Sequence, residues 1–389
     1  MIPITVVIPA YNAELFIEKC IATVLQQTYQ VQQVIVINDG SIDQTSFIVQ
    51  EISQKNPKVI LLNQSNSGVS IARNRGINES SSEWILLLDA DDEIDHELVQ
   101  EHCKYLQRYG HKDQLAMIYT GYQQIDDNSS LLDLTFHGYS LEKENGVCDI
   151  FLRNPIISPS GVLLSRKKSI EVGLFNTDLR YDEDVDLWIR LSEKYDIGYI
   201  DKPLSRIRRH SNNTTKSVSA SLAAEKHLIS QYGIERIKQR FLSRNRSPEE
   251  NLIDFSSILM KLQMYNECES HLKSVEIHPE DHNYCNYLFL YSVCMLKLES
   301  YESARKYLQA LLEHQPTNGA CLNNMGVLYA INNDFNSAKK VMQLALMHYP
   351  NYLDVQYNIR LVNQENNCPS SYKFTLRQLR PVLINYASH

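Results

Sequence analysis

The sequence predicts a two-part chain: an α/β domain built on a parallel sheet, then an all-α domain of repeated helical hairpins. Three observations predict it. Four short apolar, β-branched runs alternate with helical stretches between residues 4 and 89. A polar loop follows each run, at what would be the same end of one sheet. Past about residue 247 glycine becomes scarce, and a helical pattern recurs at a spacing of about 34 residues.

The first run, ITVVIP (residues 4–9), is continuous and apolar, as expected of a strand buried on both faces. AELFIEKCIATVLQQ follows, with Leu15, Phe16, Cys20 and Val24 at helical spacing. QVIVIN (33–38), KVILLN (58–63) and WILLLD (84–89) repeat the strand pattern, and helical stretches at 43–54 and 69–80 lie between them. Strand, helix, strand at this spacing predicts a parallel sheet. Such sheets bind ligands beyond the carboxyl ends of their strands, where the strand order reverses. Those ends carry PAYN (Pro9, Ala10, Tyr11, Asn12), NDGS with Asp39, NQSNSG, and DADD with Asp89, Asp91 and Asp92. One polar loop means little; four at one end form a rim.

In the second part, Leu322, Gly326, Tyr329, Ala338, Ala345 and Pro350 correspond, one period back, to Leu288, Ser292, Met295, Ala304, Leu311 and Pro316. The pattern resembles the tetratricopeptide repeat, a pair of antiparallel helices with small residues where they pack; a generic helical bundle is the alternative. Two clear units, a degenerate one around MYNEC (264–268) and a helix from about 353 to 364 meet the need for roughly three stacked repeats. The expected organisation is residues 1–215 as the α/β domain, 216–246 as a helical linker, 247–365 as the repeat domain and 366–389 as a tail.

A net charge of -8 over 389 residues argues against broad nucleic-acid binding, which calls for a basic face. MIPITVVIPAYN has no basic n-region and meets Pro9 too early for a signal segment. No apolar stretch approaches the ~20 residues of a membrane helix. The eight cysteines are scattered with no CxxC pair, which indicates neither a zinc ribbon nor a redox motif. They are expected to be reduced core residues of a cytoplasmic protein, one that could sit peripherally at the inner face of a membrane.

DADD needs an explanation, because clustered acids repel and raise one another's pKa. A divalent cation removes the repulsion: Mg²⁺ or Mn²⁺ takes hard oxygen ligands and is held by one or two carboxylates together with substrate phosphates. The plainer explanation is a helix N-terminus, where acids meet the positive end of the dipole, and DEIDHELVQEHCKYL could begin one. It accounts for Asp92 and Glu93 and leaves Asp89 unexplained. Asp39 precedes Gly40, which permits a tight turn that aims the carboxylate into the rim. There it could accept from the ring N–H of a nucleobase; a simple turn is the alternative.

VVIPAYNAELFIEKCIATVLQQTY, VIVINDGSIDQT, NSGVSIARNRGI and WILLLDADDEI resemble, in order, the motifs of family-two glycosyltransferases of the GT-A fold, over roughly residues 3 to 215. The resemblance implies a Rossmann-like mixed sheet flanked by helices. It implies a nucleoside diphosphate sugar as donor, by family habit a uridine one. Asp39 would contact the base. Asp89 and Asp91 would form the DxD motif, which holds the metal and the ribose–diphosphate, with Asp91 the direct ligand of Mn²⁺ or Mg²⁺ and Asp89 and Asp92 further candidate ligands. Pro9, Ala10, Tyr11, Asn12 and Arg73 would line the donor. Asn38 departs from the family, which commonly has Asp there, and leaves Asp39 intact. GLFNTDLRYDEDVDLWIRL (173–191) resembles the family's acceptor-side segment, so Glu183-Asp184 matches its Glu-Asp pair. A hydroxyl nucleophile needs a base within hydrogen-bond reach. Asp184 would take that role with Glu183 in support; helix capping by these acids is the alternative.

DKPLSRIRRHSNNTT (201–215) is the one compact basic cluster, with Lys202, Arg206, Arg208, Arg209 and His210. Cations clamp phosphate oxygens, and Arg does so bidentately, which makes Arg208 a donor-side candidate; a solvated surface stretch is the alternative. His210 falls where related enzymes often have a His near the diphosphate or metal, and is a candidate ligand. The QxxRW signature of processive synthases is absent, with LWIRL near its place, which favours adding one or a few sugars. The expected function is metal-dependent, inverting sugar transfer to a hydroxyl acceptor, first of all a cell-surface glycan or a lipid-linked one. A protein acceptor recruited by the repeats is the alternative, and the repeats could equally dock a partner or make a homodimer. A repeat scaffold with an inactive transferase domain is the reading of another class, and the intact DADD and Glu-Asp motifs stand against it.

Overall fold

The computed structural model describes residues 2–210, 218–366 and 368–379. The expected boundary between α/β domain and linker, at 215/216, and the last ten residues of the expected tail lie outside these. The chain divides into two compact units, Met1–Ile237 and Lys238–His389.

In the first unit β1 (Ile4–Ala10), β2 (Gln33–Asp39), β3 (Val59–Gln64) and β4 (Trp84–Leu87) are parallel, in the order β3-β2-β1-β4. Between them run α1 (Ile17–Leu25), α2 (Thr45–Lys55) and α3 (Val69–Glu79). β1 is buried at every position, as its uniformly apolar run requires of a central strand. β3 is the edge and alternates in burial instead, because an edge strand covers only one face. α1 buries Ile17, Cys20, Ile21 and Val24. Leu15, counted on that face from its spacing, precedes the helix and is exposed.

The sheet continues past β4. β5 (Glu93–Ile94), β6 (Leu115–Ile125), β7 (Leu131–Phe136), β8 (Leu163–Ser165) and β9 (Asp196–Arg208) complete nine strands among the described residues, ordered β3-β2-β1-β4-β8-β6-β9-β5 with β7 paired to β6. β8 runs antiparallel to β4 and β6, while β6 and β9 are parallel. The sheet is therefore mixed: the parallel reading holds for β1 to β4 and again for β6 with β9, and β5, β7 and β8 pair antiparallel. α4 (Leu98–Arg108), α5 (Gly146–Arg153), α6 (Arg166–Glu171), α7 (Glu183–Ser192) and α8 (Val218–Tyr232) belong to the same unit. The Tyr232 hydroxyl donates to Asp186 Oδ1 at 3.1 Å and ties α8 to α7.

The division between units falls within α9 (Ile234–Leu242). Among the described residues the regular elements of the second unit are helices: α10 (Pro248–Lys261) with α11 (Tyr265–Lys273), α12 (Tyr284–Lys297) with α13 (Tyr301–His314), α14 (Gly319–Ile331) with α15 (Phe335–His348), and α16 (Leu353–Asn363). Small residues sit where the helices of a pair meet. Ala304, Ala338 and Ala345 are fully buried, and a Cβ on Gly326 would come within 2.7 Å of Met342 Cγ. All eight cysteines are free thiols. Among the described residues no helix is long and apolar enough to cross a membrane.

Candidate active site

DADD does not begin a helix. Glu93 and Ile94 form β5 and α4 starts only at Leu98, so no helix dipole offsets the acids. Two buried arginines do so instead. Arg73, on α3, lies with Nη2 2.7 Å from Asp89 Oδ1 and Nη1 2.8 Å from Glu183 Oε1, its guanidinium over the Phe175 ring. Burial works against its charge, but Asp89 and Glu183 outweigh burial and raise its pKa further. Arg208 is 1% exposed. It donates to Glu93 Oε1 at 2.5 Å and to the Asp91 carbonyl at 2.7 Å, and covers the Phe16 ring. A donor-side role was expected of Arg208; its guanidinium is instead spent inside the protein, bracing the acids from below.

Asp92, a candidate ligand, is also turned inward. Its Oδ2 accepts from Ser160 Oγ at 2.5 Å and its Oδ1 from the Arg208 amide at 2.8 Å. Burial, then Asp91 and Asp89, push its pKa well up. Asp91 faces the other way. Its Oδ2 is 2.9 Å from His210 Nε2, and the imidazole packs on Phe16 at 5.2 Å between ring centroids. A carboxylate oxygen and an imidazole nitrogen are donors that Mn²⁺ accepts together. Among the described residues no group of three or more His, Cys, Asp or Glu is arranged to hold a metal. The pair therefore suits an ion whose remaining positions are filled by diphosphate oxygens and water, the usual arrangement for Mg²⁺ and Mn²⁺.

At the end of β2, Asp39 is 4% exposed. Its Oδ1 accepts from the Ser67 amide and Gln64 Nε2, and its Oδ2 from the Gly68 amide, each at 2.8 Å. The carboxylate thus organises the loop between β3 and α3. Gly40 next to it has φ +73, and a Cβ there would lie 2.6 Å from the Asn66 amide. Pro9 and Ala10 are buried at the end of β1, and Tyr11 beyond them is half exposed. Asn12, in a left-handed conformation with φ 48, accepts from the Ile42 amide and donates its own amide to Ser41. PAYN and NDGS therefore meet through hydrogen bonds.

Glu183 and Asp184 open α7, after Asp182 at φ 59. Asp184 is partly buried, and burial, seconded by the neighbouring Glu183 charge, lifts its pKa to about 7, with Arg73 pulling the other way. Asp182 rises to about 6, chiefly through burial. A carboxylate that exchanges its proton near neutral pH has the character of a general base. The cap residue Asp182 makes no side-chain capping hydrogen bond, and Asp186 is taken up by an i,i+4 pair with Arg190 at 2.6 Å.

Three residues escaped the reading of the sequence. Ser160 accepts from the Asp89 amide while donating to Asp92, so it clasps both ends of the acidic turn. Asn74 gives and takes a hydrogen bond with the Phe175 backbone, at 2.8 and 2.9 Å, docking the segment before α7 onto α3. Phe16 underlies both Arg208 and His210. Asn74 lay inside a quoted motif next to Arg73; Ser160 had no local signal at all.

Residues 5–173 match the model of glycosyl transferase family 2. The first unit carries a family-two glycosyltransferase domain. Residues 285–323 match the Fis1 C-terminal tetratricopeptide repeat, which makes the second unit tetratricopeptide-like. An uncharacterised glycosyltransferase of Rickettsia bellii is 31% identical over 216 residues, 54% of this chain and 29% of that protein. The chain thus spans under a third of that relative. TuaG of Bacillus subtilis, a glycosyltransferase assigned by name to teichuronic acid biosynthesis, is 25% identical over 192 residues, 49% of this chain and 72% of that one. Among solved structures, S. aureus TarS 1–349 in complex with UDP-GlcNAc has a TM-score of 0.51 at 13% identity, covering 95% of this chain and 89% of that one. At that identity the likeness is one of fold alone.

Proposed function

We propose that the transferase domain moves a sugar from a nucleoside diphosphate sugar to a hydroxyl of a cell-surface glycan, with inversion and with Mn²⁺ or Mg²⁺ bound. The observation that carries this reading is the convergence on one rim of Asp91 with His210, Asp89 with Arg73, and Asp184 with a pKa of about 7. Asp91 and His210 would hold the cation, which supplies positive charge against the departing diphosphate. Asp39, with Tyr11 and Asn12 beside it, is the base end of the proposed donor site. Asp184 takes the proton of the acceptor hydroxyl as that oxygen bonds to the anomeric carbon, and the bond from that carbon to the diphosphate breaks. One displacement inverts the configuration. Arg73 holds Glu183 and Asp89 in fixed relation while this happens.

TarS of the same fold was solved with UDP-GlcNAc, which makes a uridine diphosphate sugar the first donor to test. The teichuronic acid assignment of TuaG points to a surface glycan as acceptor class. The test is incubation of the purified chain with a panel of nucleotide sugars and Mn²⁺. Slow, metal-dependent release of nucleoside diphosphate is expected, first from uridine donors. No release from any donor with either metal would sink the transferase reading and leave the repeat scaffold.

A further inference from the structure

The acidic turn is held from behind by a second turn. β4 and β8 are antiparallel neighbours with Leu86 opposite Leu163. Two bonds carry this ladder past the strands: Leu87 donates its amide to the Val162 carbonyl at 2.9 Å and accepts from the Gly161 amide at 2.8 Å. Each chain then turns. Asp89 to Asp92 is closed by the Asp92 amide on the Asp89 carbonyl at 3.1 Å, and Pro159 to Val162 by the Val162 amide on the Pro159 carbonyl at 3.0 Å. Gly161, third in its turn, has φ +86, which a type II turn needs at that place, and a Cβ there would run into Ser205 Oγ.

One hydroxyl joins the two turns. Ser160 Oγ accepts from the Asp89 amide at 3.0 Å and donates to Asp92 Oδ2 at 2.5 Å, so both ends of the acidic turn are fixed on a single atom. Asp91, third in that turn, is left to face His210. The Ser160 turn is pinned in its own right: the Gly161 carbonyl lies 2.9 Å from His102 Nε2. His102 comes from α4 and is fully buried. A carbonyl only accepts, so Nε2 carries the proton and the ring is neutral, in keeping with a pKa that burial pulls down to about 4. Nδ1 is then an acceptor, and among the described residues it has no partner. A buried polar atom left unpaired costs about 1–3 kcal/mol. Leucine would fill the place without that cost, so what the imidazole supplies is the bond to Gly161.

We infer that His102 and Ser160 are positioning residues for metal-assisted transfer: His102 fixes the Gly161 peptide, that turn places the Ser160 hydroxyl, and the hydroxyl sets the turn that presents Asp91. The inference rests on the proposed cation and diphosphate at Asp91. His102 acts only through others, since its hydrogen bond is to the Gly161 carbonyl and none of its surface is exposed. Groups that orient a metal ligand from outside the ligand shell change metal affinity by about 10–100-fold.

The experiment is calorimetry of the full chain with UDP, with and without Mn²⁺, on wild type, His102→Leu, His102→Gln and Ser160→Ala. Urea unfolding of each fixes a temperature at which it is folded. The quantity read is the gain in UDP affinity that Mn²⁺ brings. His102→Leu and Ser160→Ala lose at least about tenfold of that gain. Their affinity for UDP without metal is unchanged, because Asp39 at the base end is held by the amides of Ser67 and Gly68 instead. Glutamine sets an amide N–H near the place of Nε2–H, so His102→Gln keeps most of the gain. A purely structural role would lower the urea midpoint and leave the gain intact in folded protein, and that result overturns the inference. So does a loss in His102→Gln equal to that in His102→Leu. Where His102→Leu does not fold, a gain kept in Ser160→Ala overturns the inference, and a gain lost there but kept in His102→Gln supports it. A wild type that gains nothing from Mn²⁺ overturns the metal reading and this inference with it; a wild type that gains, with variants that gain as much, overturns the inference alone.

Discussion

Arg73 Nη1 lies 2.8 Å from Glu183 Oε1, although 110 residues separate the two in the chain. The same guanidinium reaches Asp89 through Nη2, so one side chain links the acidic turn after β4 to the start of α7. It is 3% exposed, so it was desolvated to make this link. A buried cation with two carboxylates stabilises only as a complete set.

Replacing Arg73 with methionine leaves the partly buried carboxylates of Asp89 and Glu183 without this partner. The expected loss is about 3–5 kcal/mol of folding stability, together with transfer activity. Lysine is a point charge without the fork and cannot span both acids, so Arg73→Lys falls between. Urea unfolding measures this; an unchanged midpoint in Arg73→Met removes the strut from the account.

The Asp184 pKa of about 7 sets a pH dependence. In the proposed role of base it acts only when ionised, so the rate of transfer is expected to fall as pH drops below about 7. Stability runs the opposite way. The folded pKa exceeds the unfolded one, so the folded state keeps this proton between about pH 4 and 7 while the unfolded chain has lost it. The stability contributed by protonated Asp184 is full below that window and lost as pH rises through 7. Asp184→Asn removes both effects: transfer is abolished at every pH, nucleoside diphosphate still binds, and the melting temperature gains more at pH 8 than at pH 5. A gain that is larger at pH 5 contradicts the assignment.

Asp91→Asn and His210→Ala each weaken Mn²⁺-dependent binding of a nucleoside diphosphate by at least about tenfold, read by calorimetry without any transfer. Asp92→Asn keeps that binding, because both Asp92 oxygens already face protein donors. Equal losses in all three variants would mean that Asp92 turns outward when the donor binds.

Gly76 lies where α3 presses on the sheet, and a Cβ there would come within 2.4 Å of Val7 Cγ1 and 2.8 Å of Ile37 Cδ1. Both neighbours are β-branched and stiff. Gly76→Ala should cost about 1–3 kcal/mol by overpacking. It should also weaken transfer, because α3 carries Arg73. A melting temperature within experimental error of wild type would show that the helix shifts freely.

The four parallel strands, the helices between them and the repeat helices were legible because their signals are local. A run such as ITVVIP declares a strand buried on both faces, and a recurring small residue declares a helix contact. The strands beyond β4 were not legible. β8 is three residues long and β5 two, too short for any period to show, and they exist because β6 and β9 run alongside. Leu15 misled for a related reason: helical spacing fixes a face but not the point where the helix begins. Of the rim, Asp39, Asp89, Asp91 and the Glu-Asp pair could be named from motifs. The inward turn of Asp92 and Arg208 could not, since neighbours in sequence gave them identical credentials to Asp91 and His210.

Residue order thus carried the kind of protein this is: an α/β sheet with an acidic rim, a transferase motif set and a helical repeat. Periodicity, β-branching and the chemistry of short motifs act over a few neighbouring positions, and a chain displays them before it folds. Which acid meets which cation, and which hydroxyl clasps the acidic turn, was left to folding. Charges and hydrogen bonds act through space over a few ångströms, and distance along the chain does not encode that separation.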